Sequence, residues 1–255
     1  MKGPIPWIGG KSLLARSIIG LFPEHHTYCE VFAGGAHVLF TKEPSKVEII
    51  NDINKDLVGL FRVLQNHLEE FCRMFKWCLV SRDWWKDWGS QLEAGGLTDI
   101  QRAARFYYIQ RLGFGGKVHG RTYGTGPKEG PRINLIRMEE DLSAIHLRLA
   151  RVRIENLPFD EFITRNDRPE TLFYLDPPYF GVENYYGKGI FSRDAFARLA
   201  DQLARIQGRF ILSLNDTPEI RETFKAFRID TITTRYSCSK GESKKAREVL
   251  ISNPR

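Results

Sequence analysis

Leu172-Phe173-Tyr174-Leu175-Asp176-Pro177-Pro178-Tyr179-Phe180 is the stretch from which the fold is read. An unbroken run of large apolar residues predicts a strand buried on both faces, as in a parallel sheet. Two prolines follow, and neither has an N–H to extend a ladder, so the strand stops at Asp176. That puts a carboxylate at the carboxyl edge of the sheet, where open α/β sheets bind ligands. Pro177 fixes the turn and leaves its carbonyl with no helical duty, and Tyr179 offers a flat ring beside it. A carboxylate oxygen and a free carbonyl oxygen make a double acceptor suited to an exocyclic NH2 group. The ring can stack on the heterocycle that carries the amine.

The chemical need behind such a pair is specific. The lone pair of an aryl amine such as adenine N6 is delocalised into its ring, which makes the nitrogen a poor nucleophile. Two acceptors on its hydrogens favour a pyramidal nitrogen with a localised lone pair, and so stabilise the transition state more than the ground state. Alone, the stretch equally fits an ordinary strand-to-loop turn, so its weight depends on the rest of the chain.

At 255 residues the chain can bury one sizeable core, or one core with a smaller inserted module. With 42% hydrophobic and 27% charged residues, the composition is that of a globular protein. No apolar run approaches the ~20 residues of a membrane span. The first residues, Met1-Lys2-Gly3-Pro4-Ile5-Pro6-Trp7, lack the apolar core of a signal peptide. Cys29, Cys72, Cys78 and Cys238 have no metal-ligand spacing, so reduced thiols in the cytoplasm are expected, with no metal. The six histidines show no triad or metal spacing either. A formal charge of +7 permits a polyanionic partner.

Trp7-Ile8-Gly9-Gly10-Lys11-Ser12 precedes a helix-like run, residues 13–19. Glycines before a helix start let backbone N–H groups face a carboxylate or phosphate, and a capped surface helix fits the same pattern. The Gly-Lys-Ser triplet is no phosphate-binding loop: Ile5 stands where that pattern needs a glycine, and no strand comes before it. Tyr28-Cys29-Glu30-Val31-Phe32-Ala33-Gly34-Gly35-Ala36 reads as a strand entering a glycine turn, then a helix through Phe40. Val47-Glu48-Ile49-Ile50-Asn51-Asp52 reads as a second strand. An acid there, about 20 residues after the turn, is placed to hold ribose hydroxyls, and Asp52 also suits the N-cap of a following helix.

The order Trp-x-Gly-Gly-Lys, Phe-x-Gly-Gly, Asn-Asp-x-Asn and Asp-Pro-Pro-Tyr, spread over residues 7–179, resembles the Dam-like, or D12 class, DNA adenine-N6 methyltransferases. The resemblance runs from Trp7 to Ile251. It implies a seven-stranded Rossmann-like S-adenosylmethionine-dependent methyltransferase sheet with an inserted, mainly helical target-recognition module. Residues 1–56 and 151–255 would form the catalytic domain and 57–150 the module. By the family's pattern Trp7, Lys11, Phe32, Gly34, Asp52, Phe159 and Asp176 bind the donor, with Lys11 pairing with its methionine carboxylate. Asp176, Pro177 and Tyr179 would be catalytic. Relatives of this class serve in restriction systems, bacterial housekeeping and phages.

Residues 57–150 turn helical in period. Their aromatic stripes, Trp84, Trp85 and Trp88 among them, are expected to be helix–helix core. Between helices a glycine-rich loop, 113–132, carries Lys117, Arg121, Lys128 and Arg132 with Glu129 as its one acid. Basic, flexible and carrying Tyr123, it suits contact with the phosphates of double-stranded DNA and wedging beside a base. A solvated glycine loop is the plainer alternative.

Residues 151–159 read as a short strand returning to the sheet. The family often has an acid before Phe159 that could hold the donor's adenine amine. Pro158 stands there, leaving Asn156 and Asp160 as replacements, and Ala36 likewise stands where a further glycine is common. Tyr185 and Tyr186 are candidates for closing over an extruded base. Residues 195–206 read as an amphipathic helix, 209–216 as a strand, and 227–233 and 248–252 as final strands. Lys240, Lys244, Lys245 and Arg247 lie on the segment joining these last two, which reads as a solvated turn, with contact to the DNA backbone as the alternative. The expected enzyme is a monomer acting on DNA. Methylation of cytosine N4, RNA adenine or protein glutamine, and a catalytically inactive DNA-binding relative, are the alternatives.

Overall fold

The computed structural model describes residues 1–124, 130, 132–182, 191–237 and 243–253, with only the backbone of 233–237 and 243–246. Its strands are β1 (Thr27–Glu30), β2 (Val47–Asn51), β3 (Val152–Glu155), β4 (Thr171–Leu175), β5 (Arg209–Asn215), β6 (Arg228–Ser237) and β7 (Ser243–Ser252). They form one seven-stranded sheet in the order β3-β2-β1-β4-β5-β7-β6. The first five are parallel, and β7 runs antiparallel between β5 and β6. The expected methyltransferase sheet is present. Its two last strands are longer than the sequence suggested, and Lys244, Lys245 and Arg247 belong to β7 rather than to a turn. A β-hairpin supplies backbone partners for both segments, which polar side chains do not reveal. Lys240 lies outside the described residues.

All five residues of β4 are buried, and strand alternation sends them to two different cores. Leu172 and Tyr174 join a cluster with α1 (Ala15–Ile19), α2 (His37–Thr41), α3 (Lys55–Asn66), α4 (Leu68–Arg73), α5 (Arg82–Ala94), α6 (Asp99–Leu112) and α7 (Met138–Leu149). Phe173 and Leu175 join the opposite cluster, with α8 (Phe159–Asn166), α9 (Arg193–Leu203) and α10 (Pro218–Thr223). A strand covered on both sides has no polar face to show, hence the unbroken apolar run.

The inserted helices share the sheet's core. Arg148 of α7 and Lys42 both pair with Glu48, a buried residue of β2, and Gln65 of α3 donates to the carbonyls of Leu149 and Val152 at 2.7 and 2.8 Å. α6 is central, with Phe106, Tyr107, Tyr108 and Ile109 all buried. Trp84, Trp85 and Trp88 pack against this cluster as expected, and the Trp85 indole donates to the Ile109 carbonyl. The expected boundary at residue 57 falls inside α3. Asn54 caps that helix through Asp56 and Leu57, so Asp52 is not the cap.

Candidate active site

Strand order reverses between β1 and β4, and a cleft opens at their carboxyl ends. Trp7, Lys11, Phe32, Gly34, Asp52, Phe159 and Asp176, which the sequence assigns to donor binding, all line it. They come from five separate segments, brought together because parallel strands end on one edge.

Asp176 sits where β4 stops. Lys11, itself buried, places its ammonium 2.5 Å from Asp176 Oδ1 and 4.7 Å from the centre of the Tyr179 ring. The sequence assigned Lys11 to the donor's carboxylate, whereas the structure sets it on the protein's own carboxylate. A buried ammonium needs a counter-charge, and Asp176 supplies it. Burial pushes the Asp176 carboxyl up to about 6, against the downward pull of Lys11.

Asp52 ties the ends of β1 and β2 together. One of its oxygens accepts from Gly34 N and the other from Asn54 N, both at 2.9 Å. Burial raises its carboxyl above the ordinary range in spite of these bonds. A side chain at Gly34 would meet the Trp7 indole at 2.6 Å, so the turn's small residues make room for Trp7. Ala36 takes φ +50°, a left-handed conformation costing roughly 1–2 kcal/mol in an L-residue, which is why glycine suits that position.

Two further groups on the cleft wall escaped the sequence reading. Glu30 ends β1 inside the core, and its Oε2 accepts from the Tyr28 hydroxyl at 2.9 Å and Leu39 N at 3.1 Å. Burial pushes it up to about 8, so it is largely protonated at neutral pH. His37 packs against Gly10 and Gly35, and burial with nearby Lys11 lowers its pKa, leaving it neutral. A carboxylate inside an apolar strand was the available signal for Glu30. His37 had none.

A family model for the D12 class N6 adenine-specific DNA methyltransferases matches residues 7–238. The chain belongs to that family. It is 27% identical to the Type II methyltransferase M1.LlaDCHI of Lactococcus lactis subsp. cremoris, over 97% of this chain and 93% of that one. A Type II methyltransferase, M.CviBI, of Paramecium bursaria Chlorella virus NC1A is 25% identical, covering 89% and 88%. A DNA adenine methylase of Salmonella typhi is 22% identical, covering 96% and 93%.

In this D12 methyltransferase the basic loop leaves α6 through a single helical turn, Phe114–Gly116. Tyr123 pairs with Gly113, and Phe114 N donates to Thr122 O, closing the loop's base. Ile8 N donates to Gly116 O at 3.0 Å, which joins the loop to the Trp7–Lys11 segment. Lys117 is exposed. Arg121 instead lies over the Phe106 ring, and Tyr123 packs edge-on against Trp85 with the Arg82 guanidinium over its face. Both side chains pack within the module, where the negative face of a ring attracts a guanidinium and aromatic rings favour edge-to-face contact. Arg132 lies over Phe114. Lys128, Tyr185 and Tyr186 lie outside the described residues. Of the two candidates to replace the acid at Pro158, Asp160 is on the cleft wall, while the Asn156 amide donates to the Asp52 carbonyl.

Proposed function

We propose that this methyltransferase binds S-adenosylmethionine in the cleft and methylates N6 of an adenine flipped out of double-stranded DNA. The observation that carries the reading is Asp176, held by Lys11 at the carboxyl end of β4, beside the Tyr179 ring and among the seven converging residues. The cleft fits the donor. Asp52 supplies a carboxylate for ribose hydroxyls. Phe159 lies 5.8 Å from both Phe32 and Phe191 and offers an apolar slot for a purine. When bound, the donor supplies an electrophilic methyl group on a sulfonium centre.

The protein's residues do the rest. An adenine inside a duplex is out of reach, so flipping precedes chemistry at a cost of a few kcal/mol. Asp176 and the Pro177 carbonyl accept from the N6 hydrogens, and Tyr179 stacks on the ring. With its carboxyl raised to about 6, Asp176 remains ionised at neutral pH and is a better proton acceptor than an ordinary aspartate. The proton that N6 must shed after transfer leaves through that contact. Lys117, Lys128 and Arg132 contact backbone phosphates, and Arg121 and Tyr123 pack within the module. The proposed enzyme is a monomer acting on DNA in the cytoplasm.

Methylation of unmodified plasmid, read base by base by long-read sequencing, tests the reading against an Asp176→Ala control. Methyladenine made by the parent and absent with the variant supports it. Methyl transfer to RNA or protein instead, or none at all, refutes it.

A further inference from the structure

The geometry points to Asn215 as the positioning residue that holds the catalytic turn, an inference that rests on the function proposed above. Asn215 is the last residue of β5. Its amide NH2 donates to Phe180 O at 2.9 Å and its amide oxygen accepts from Phe180 N at 3.0 Å. Both backbone groups of the residue after Tyr179 are therefore taken by one side chain.

Only an asparagine-length amide does this from there. Aspartate cannot donate, serine is too short to span both groups, and glutamine places its amide one methylene too far. Asn215 is itself fixed, because β5 pairs with β4 on one side and with β7 on the other, where Asn215 stands opposite Glu248. Asp176 is anchored at the opposite end of the turn by β4, which pairs with both β1 and β5. The Phe180 ring packs 5.6 Å from Phe196 and under Arg193 of α9. Gly181 at φ +89° and the Val182 N to Tyr179 O bond then turn the chain away.

The five residues from Asp176 to Phe180 include both acceptors for the target amine and the stacking ring. Held at both ends, they keep the near-attack geometry that a displacement of about 1 Å can degrade a hundredfold. Asn215 does not itself line the donor cleft, and Asp176, which does, is fixed separately by β4, so loss of Asn215 acts on turnover far more than on donor affinity.

The test compares the parent with Asn215→Leu and with Asn215→Asp, which keeps the acceptor and loses the donor. Three quantities are read: kcat on DNA, the dissociation constant for S-adenosylmethionine, and hydrogen–deuterium exchange of the Phe180 amide. Asn215→Leu is expected to lower kcat by about tenfold to a hundredfold and speed Phe180 exchange, with donor affinity held within about twofold. Asn215→Asp should lie between it and the parent, and carries the test if the leucine variant does not fold. Parental kcat in either folded variant, a matching loss of donor affinity, or unchanged Phe180 exchange in a folded Asn215→Leu overturns the proposal. A parent that methylates no DNA refutes the functional reading instead, and the exchange comparison still decides whether Asn215 holds the turn.

Discussion

Replacing Lys11 by methionine keeps most of the buried stem and removes the charge beside Asp176. Burial, with a smaller push from Glu248, drives the Asp176 carboxyl up from its ordinary 3.8, and Lys11 restrains the rise to about 6. An opposite charge this close lowers a carboxyl by roughly 1–3 units, so Lys11→Met should raise the midpoint from about 6 into the range of about 7–9. At pH 7 the parent is then about nine-tenths ionised, whereas a two-unit rise leaves the variant about one-tenth ionised. The ionised carboxylate is the acceptor, so activity rises with pH through the folded midpoint in both proteins. The assay is kcat/KM for DNA against pH at fixed ionic strength, since that ratio reports groups of the enzyme before DNA binds. Near pH 7 the variant should be slower by about tenfold, and it should recover most of the parental value by pH 9–10. A variant midpoint at or below the parent's refutes the coupling. Low activity at every pH returns Lys11 to the donor's carboxylate, the role read from sequence.

Glu30→Gln should remove a pH dependence of stability. The folded state keeps a proton on Glu30 up to about 8 while an ordinary glutamate loses it at 4.5, so stability contributed at low pH is lost as pH rises through that window, by at most about 1.4 kcal/mol per unit. Thermal melts should show the variant gaining on the parent between pH 5 and 8.5, and parallel curves would count against a protonated Glu30. Asp176→Ala should cut methyl transfer by at least about a hundredfold while fluorescence anisotropy shows DNA affinity largely intact; near-parental activity removes Asp176 from the mechanism. Lys117→Ala should weaken DNA binding on every sequence alike and lower the slope of log affinity against log salt by about 0.9, and an unchanged slope takes Lys117 off the phosphates.

Most of the sheet was legible because each parallel strand announces itself twice, in an apolar run and in the residue that ends it. Asp176, Asp52 and the Phe32–Gly35 turn were found as strand endings, and parallel strands ending on one edge put them in one cleft without further information. The β6–β7 hairpin was read too short because Thr234, Lys244 and Lys245 carry no apolar pattern, and only cross-strand pairing defines them as strand. Arg121 and Tyr123 look like DNA contacts in one dimension. Their partners Phe106 and Trp85 belong to other helices, and local sequence does not show which aromatic faces a cation.

The same limit explains why two contacts at the ends of the Asp176–Phe180 turn were not visible. Lys11 meets Asp176 across 165 positions, and Asn215 meets Phe180 across 35. Neither pair has a spacing that secondary structure imposes, so neither leaves a period in the sequence. What each does leave is a residue type that its local element does not explain: a lysine buried in a glycine-rich segment, and an asparagine closing an apolar strand. A polar side chain at the carboxyl edge of a parallel sheet has few partners except the adjacent strand's loop, because the sheet fixes its position and burial demands that its hydrogen bonds be met. Asn215 follows that rule on β5 as Asp52 does on β2, whose carboxylate reaches the turn after β1. In both cases the end of one strand sets the loop of its neighbour, and the site is assembled from those crossings.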